Sequence, residues 1–260
     1  MAVKLNYNIS GNGELVVVLH GLFGSSRNWQ TMAKQLATDF QVMTVDLRNH
    51  GNSQHAPEMN YPEMADDVHQ LIAEHTSEPV TLVGHSMGGK VAMYQSLISP
   101  HTVSKLLVLD IAPIEYYHRY GKLFNAMQNL PLDTIKNRNE AEALFSREID
   151  DPLLYRFLLQ NLARSESGFY WKINLPVLQE NIETINHFPD IEAGTTFDQP
   201  SLFLGGARSE FITPDSHAKI FSLFPNARID LIENAGHMLH VEESGTVLEK
   251  IREFISTTDA

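Results

Sequence analysis

"TLVGHSMGGKVAM", residues 81–93, decides the fold. Apolar β-formers run up to Gly84, Ser86 and Gly88 follow in the spacing G-x-S-x-G, and apolar residues then recur at helical intervals. That order predicts a strand, a tight turn with the serine at its apex, and a helix that starts at once. Only small residues two positions either side of the serine let the chain reverse so sharply.

Outward from this stretch the same alternation continues. The runs "ELVVVLH" (14–20), "FQVMTVD" (40–46), "PVTLVGH" (79–85), "SKLLVLD" (104–110), "PSLFLGG" (200–206) and "ARIDLIE" (227–233) are short, continuous and apolar. Such runs suit strands buried on both faces of a mostly parallel sheet. Between them "SSRNWQTMAKQLATD", "YPEMADDVHQLIAEHT" and "SMGGKVAMYQSLIS" carry apolar residues at helical spacing, so the class is α/β with helices on both faces. The rhythm stops between Pro113 and Pro200, where strand candidates vanish and "RYGKLFNAMQNL", "EAEALFSREI" and "DPLLYRFLLQNLA" read as helices. The expected organisation is a core of residues 1–113 and 195–260 with a helical cap, 114–194, inserted between two strands. A second helical domain with its own core is the alternative.

Composition narrows the function. A chain of 260 residues with 43% hydrophobic content can bury a substantial core. Its 32 acidic against 19 basic residues give a formal charge of −13, which opposes nucleic acids and anionic membranes as partners. With no cysteine, disulfides, thiolate metal sites and cysteine nucleophiles are excluded. No stretch approaches the roughly 18 to 20 apolar residues of a membrane span, and no apolar leader is evident, so a cytoplasmic protein is expected. The oligomeric state is not readable.

A serine hydroxyl needs a base, and the base an orienting acid. Of twelve histidines, His237 in "ENAGHMLHVEE" is the best placed, since Ala235 and Gly236 before it give backbone freedom in a loop after the last strand. His240 competes. The oxyanion donors are expected to be main-chain groups: Met87 N–H at the helix start and Leu22 N–H in the loop "LHGLFGSS". For the acid, Asp110 ends an apolar strand beside the nucleophile strand, where ligand sites of parallel sheets gather. Glu210 and Asp215 follow a later strand, and Asp215, next to Pro214, reads as a helix cap.

"HGLFG" (20–24), "DLRNHGNS" (46–53), "GHSMGG" (84–89) and "AGH" (235–237), in this order, resemble the successive signatures of the α/β-hydrolase fold family. With "DIAP" (110–113) and the cap, the chain is most similar to small bacterial carboxylesterases that accept short acyl esters and, in some members, acyl-CoA thioesters. The resemblance spans residues of about 3 to 257. It implies that "DLRNHGNS" shapes a loop and turn rather than reacting. Most members carry the acid after the strand read at 200–206, where this chain has Ser209. In the esterases with "DIAP" the acid follows the earlier strand, which favours Asp110 over Glu210 and makes Ser209 a supporting hydrogen-bond partner of His237 or Asp110.

The expected activity is therefore cleavage of small-molecule carboxylic esters or thioesters through an acyl-enzyme, with no metal or cofactor. C–C bond hydrolases and a lyase of menaquinone synthesis share the Ser-His-Asp set and remain rivals. Epoxide hydrolases and dehalogenases are disfavoured because their nucleophile is a carboxylate. A non-catalytic binding protein on this fold is the rival from another class. Arg119, Lys122, Arg147, Arg156, Arg164 and Lys172 in the cap could meet a CoA phosphate, although scattered charges usually form a solvated face.

Overall fold

All six apolar runs form strands in the computed structural model, which describes residues 2–117, 120–166 and 168–257. The chain begins with β1 (Asn6–Ser10), β2 (Leu15–Leu19), α1 (Gln30–Leu36), β3 (Gln41–Asp46), α2 (Tyr61–Ala73), β4 (Val80–His85), α3 (Met87–Ile98) and β5 (Val103–Leu109). Next come α4 (Gly121–Gln128), α5 (Arg138–Glu148), α6 (Pro152–Leu159), β6 (Leu162–Ser165), β7 (Gly168–Trp171), α7 (Leu175–Glu180) and α8 (Ile182–Asn186). The chain closes with β8 (Ser201–Gly206), α9 (Pro214–Leu223), β9 (Ala227–Ile232), α10 (Leu239–Glu242) and α11 (Ser244–Ser256).

Seven strands make the main sheet in the order β1-β3-β2-β4-β5-β8-β9. Every pairing in it is parallel except that of β1 with β3. Every residue of β2, β4 and β8 is buried, as strands covered on both faces require. Successive side chains alternate between two apolar layers. Val17, Leu82, Leu106 and Val108 meet α2, α3 and α9, while Val16, Val18, Val83, Leu107 and Leu109 meet α1 and α11. Helix starts follow local chemistry: Asn60 Oδ1 accepts from Glu63 N at the start of α2, and Asp151 caps α6 ahead of Pro152.

Two features depart from the sequence reading. The edge strand β1 escaped it because NYNIS is polar and, Asn6 apart, exposed, so it leaves no apolar run. The inserted segment is not wholly helical: α6 ends at Leu159, and the chain then folds back as the antiparallel pair β6–β7. These strands have four residues each and are half exposed, too short for a period to show. Phe124, Met127, Phe145, Leu158, Leu178 and Ile185 of the insertion belong to the same continuous apolar cluster as the α2 and α3 face.

Candidate active site

Ser86 sits between β4 and α3 with φ 51 and ψ −121, a backbone conformation that a non-glycine residue keeps only when its surroundings enforce it. Its N–H donates to Leu109 O at 3.0 Å, and its carbonyl accepts the first helical bond from Lys90 N at 3.1 Å. The glycines make this possible by close backbone approach. A Cβ on Gly84 would lie 2.3 Å from Gly88 O, and one on Gly88 would lie 2.5 Å from His20 O.

A continuous hydrogen-bonded chain starts at the hydroxyl. Ser86 Oγ donates to His237 Nε2 at 3.0 Å, and His237 Nδ1 donates to Asp110 Oδ2 at 2.8 Å. A carboxylate can only accept, so the Nδ1–H tautomer follows from the partner. Asp110 is fully buried just past β5, at φ 52. Its Oδ1 accepts from Gly206 N at 2.9 Å, and Ser209 Oγ donates to Oδ2. The imidazole of His237 stacks on Phe211, centroids 4.0 Å apart, and its carbonyl accepts from His85 Nε2 at 2.8 Å. Glu210 is exposed and lies outside this chain of contacts. Asp215 is exposed in the first turn of α9, which is capped by Thr213 and not by Asp215 as the sequence suggested: Pro214 occupies the first turn and leaves Thr213 in the extended conformation a cap needs. His240 is buried against Trp29, ring centroids 4.8 Å apart and nearly parallel, and burial pushes its pKa down to about 3.

The loop from His20 to Gly24 is held beside Ser86 by two neutral histidines. His20 Nε2 accepts from Leu47 N at 3.0 Å, while His50 Nε2 accepts from Phe23 N at 3.2 Å. Their Nδ1 atoms face the carbonyls of Gly21 and Arg48. Burial lowers both pKa values, that of His50 to about 3. Across the loop, Asn161 Nδ2 donates to Phe23 O at 2.7 Å, tying it to the inserted segment. Arg48 is fully buried and grips Asp67 with Nε at 2.6 Å and a terminal nitrogen at 2.9 Å, so "DLRNHGNS" builds the floor of the loop.

Two cavities meet at Ser86. One, about 490 Å³ and largely apolar, is lined by Leu22, Phe23, Leu154, Phe157, His237 and Met238 among others. The other is a cleft of about 20 Å³ lined by Leu22, Met87, Lys90, Tyr61, Tyr116 and Ile185 among others. Lys90, on α3, is buried, and Nζ donates to the carbonyls of Asn186 and His187 at 2.7 and 2.9 Å. Burial lowers the amine pKa to about 7. Of the basic residues in the insertion, Lys122 lines the large cavity, while Arg156 pairs with Glu142 and Lys172 donates to Asn52. Arg119 lies outside the described residues. Among the described residues no group of three His, Cys, Asp or Glu could hold a metal ion, and no helix is long and apolar enough to cross a membrane.

Residues 14–244 match the family model described as the alpha/beta hydrolase fold. The chain belongs to the α/β-hydrolase fold family. Within it, the chain is 34% identical over 265 residues to a mouse protein named sn-1-specific diacylglycerol lipase ABHD11, covering 98% of this chain and 86% of that protein. It is 33% identical to Esterase YbfF of Escherichia coli (strain K12), covering 94% of each. A solved structure named Marine microorganism esterase superposes with a TM-score of 0.94 at 38% identity, covering 97% of this chain and all of that one. Lys90, His85, Phe211 and Asn161 are the parts of this α/β-hydrolase site that sequence reasoning missed. Lys90 alone left a signal, a lysine four residues after Ser86 within the otherwise apolar stretch "MGGKVAM" that opens the helix.

Proposed function

We propose that the protein is a serine hydrolase of carboxylic esters and thioesters with short to medium acyl chains. In this reading Ser86 Oγ attacks the carbonyl carbon while His237 Nε2 takes its proton, and the new Oγ–C bond forms as the carbonyl π electrons move to oxygen. The N–H groups of Leu22 and Met87 hold the oxyanion, each worth about 3 to 4 kcal/mol. Collapse breaks the bond to the leaving oxygen or sulfur, which takes the proton from His237. Water then repeats the sequence and releases the acid. Asp110 holds the imidazole and offsets its charge, and Ser209 and Gly206 hold Asp110.

The observation that carries the reading is the unbroken chain from Ser86 through His237 to Asp110, at 3.0 and 2.8 Å. The ester-cleaving names of the relatives support it. Residues 114–194 act as a cap over the site in this reading. The substrate is a small molecule, no cofactor is needed, and the absence of cysteine leaves the fold independent of an oxidising compartment, in keeping with a cytoplasmic protein. Ser86→Ala is expected to abolish hydrolysis of p-nitrophenyl acetate and labelling by a fluorophosphonate while circular dichroism is unchanged. Full turnover in that variant would overturn the assignment.

A further inference from the structure

The two cavities at Ser86 differ in the reacting groups they contain. In the acyl-transfer cycle the leaving oxygen collects a proton from His237 Nε2, whereas the acyl chain never exchanges one. The leaving group therefore occupies the compartment that His237 lines, and the acyl chain extends to the other side of Ser86. His237 lines the large apolar cavity. Among the described residues, the lining of the small cleft includes Ser86, Met87 and Lys90 but not His237. Leu22, Tyr120 and Phe211 line both spaces and form the waist between them.

We infer that the small cleft is the acyl compartment, that it narrows the acyl range proposed above to acetyl and propionyl groups, and that Lys90 is the residue that sets this limit. The inference rests on the acyl-enzyme reading above. A cleft of about 20 Å³ compares with the roughly 10 to 15 Å³ that one water needs on the same measure, so little more than a methyl group fits beyond the carbonyl carbon. The cavity of about 490 Å³ leaves room for a large apolar alcohol or thiol.

The wall is fixed rather than soft. Lys90 Nζ lies 5.0 Å from the ring centre of Tyr116 and 5.7 Å from that of Tyr61, besides its two carbonyl acceptors. Swinging out would break both of those hydrogen bonds and the two ring contacts at once. Tyr61 is anchored in turn by its hydroxyl, which donates to Ile185 O at 2.5 Å, and the hydroxyl of Tyr116 donates to Phe211 O at 2.5 Å.

Two substrate series on the wild-type enzyme test the assignment: p-nitrophenyl esters from acetate to octanoate, and acetate esters of alcohols from ethanol to octanol followed by acid release. The expected result is a fall in kcat/KM of about tenfold or more between propionate and hexanoate, with acetate esters holding or gaining rate as the alcohol lengthens. Lys90→Ala, which removes the side chain beyond Cβ, is expected to raise the hexanoate-to-acetate ratio by about tenfold or more. Lys90→Leu, shorter and apolar, repeats that comparison if the alanine variant does not fold. Wild-type turnover of octanoate as fast as acetate, rejection of the long alcohols instead, or an unchanged ratio in the folded Lys90 variant overturns the inference. An enzyme that is labelled by fluorophosphonate yet shows one of these results loses only this inference, whereas a folded wild type with neither labelling nor turnover loses the acyl-enzyme reading itself.

Discussion

Both carboxylate oxygens of Asp110 are engaged, by three donors: the N–H of Gly206, the hydroxyl of Ser209 and Nδ1 of His237. Asp110→Asn keeps the shape but sets an N–H against one of those donors and unsettles the imidazole tautomer, so kcat is expected to fall by about 10⁴-fold. Glu210→Gln, altered in solvent, is expected to leave kcat/KM unchanged. Steady-state kinetics of the two variants side by side separate the candidates, and a large loss in the Glu210 variant alone would reverse the assignment. Sequence spacing left both carboxylates open because each follows a strand. What separates them is the direction of approach to His237, and that depends on the left-handed turn at Asp110, φ 52, which no residue type in "LDIAP" announces.

The strand-turn-helix around Ser86 is where local sequence specifies local structure most tightly. Gly88→Ala would bring a Cβ to 2.5 Å from His20 O and 2.6 Å from Leu19 O, and backbone atoms cannot yield as a flexible side chain can. It is expected to push α3 away from β2, abolish turnover and cost about 1 to 3 kcal/mol in urea unfolding. Gly121→Ala, with nothing within 4 Å of its Cβ, serves as the control and is expected to keep full stability. Wild-type activity in Gly88→Ala would show that the close approach is not needed. Elements were legible where burial on both faces demands an unbroken apolar run, as in β2, β4 and β8, whose residues are all buried. They were illegible where pairing buries little apolar surface: β1 is an exposed edge, and β6 and β7 are shorter than any pattern. The small cleft was illegible for another reason, since its wall joins Tyr61, Lys90, Tyr116 and Ile185 from four distant stretches.

Across the whole molecule, buried neutral histidines set the response to acid. His50 and His240 have folded-state pKa values of about 3, against about 6.5 in an unfolded chain. Between those limits the unfolded chain holds a proton at each site that the folded protein lacks. Stability from each is therefore complete above pH 6.5 and is lost as pH falls toward 3, at about 1.4 kcal/mol per unit. Nδ1 of His240 has no hydrogen-bond partner among the described residues, so a phenyl ring can replace the imidazole on Trp29 without breaking a bond there. His240→Phe is expected to narrow the stability gap between pH 7 and pH 5 by about 2 kcal/mol in urea unfolding, and a gap equal to that of the wild type would refute the account. The carboxamide of Asn161 has a consequence at this scale too. By holding the Phe23 carbonyl at 2.7 Å, it ties the insertion to the loop that, in the proposed reading, presents Leu22 to the reacting carbonyl. In that reading residues 114–194 are not an interchangeable module. A chimera whose replacement for residues 114–194 lacks that amide is expected, in the same reading, to have a loosened oxyanion loop and a lower turnover along with any change in substrate range.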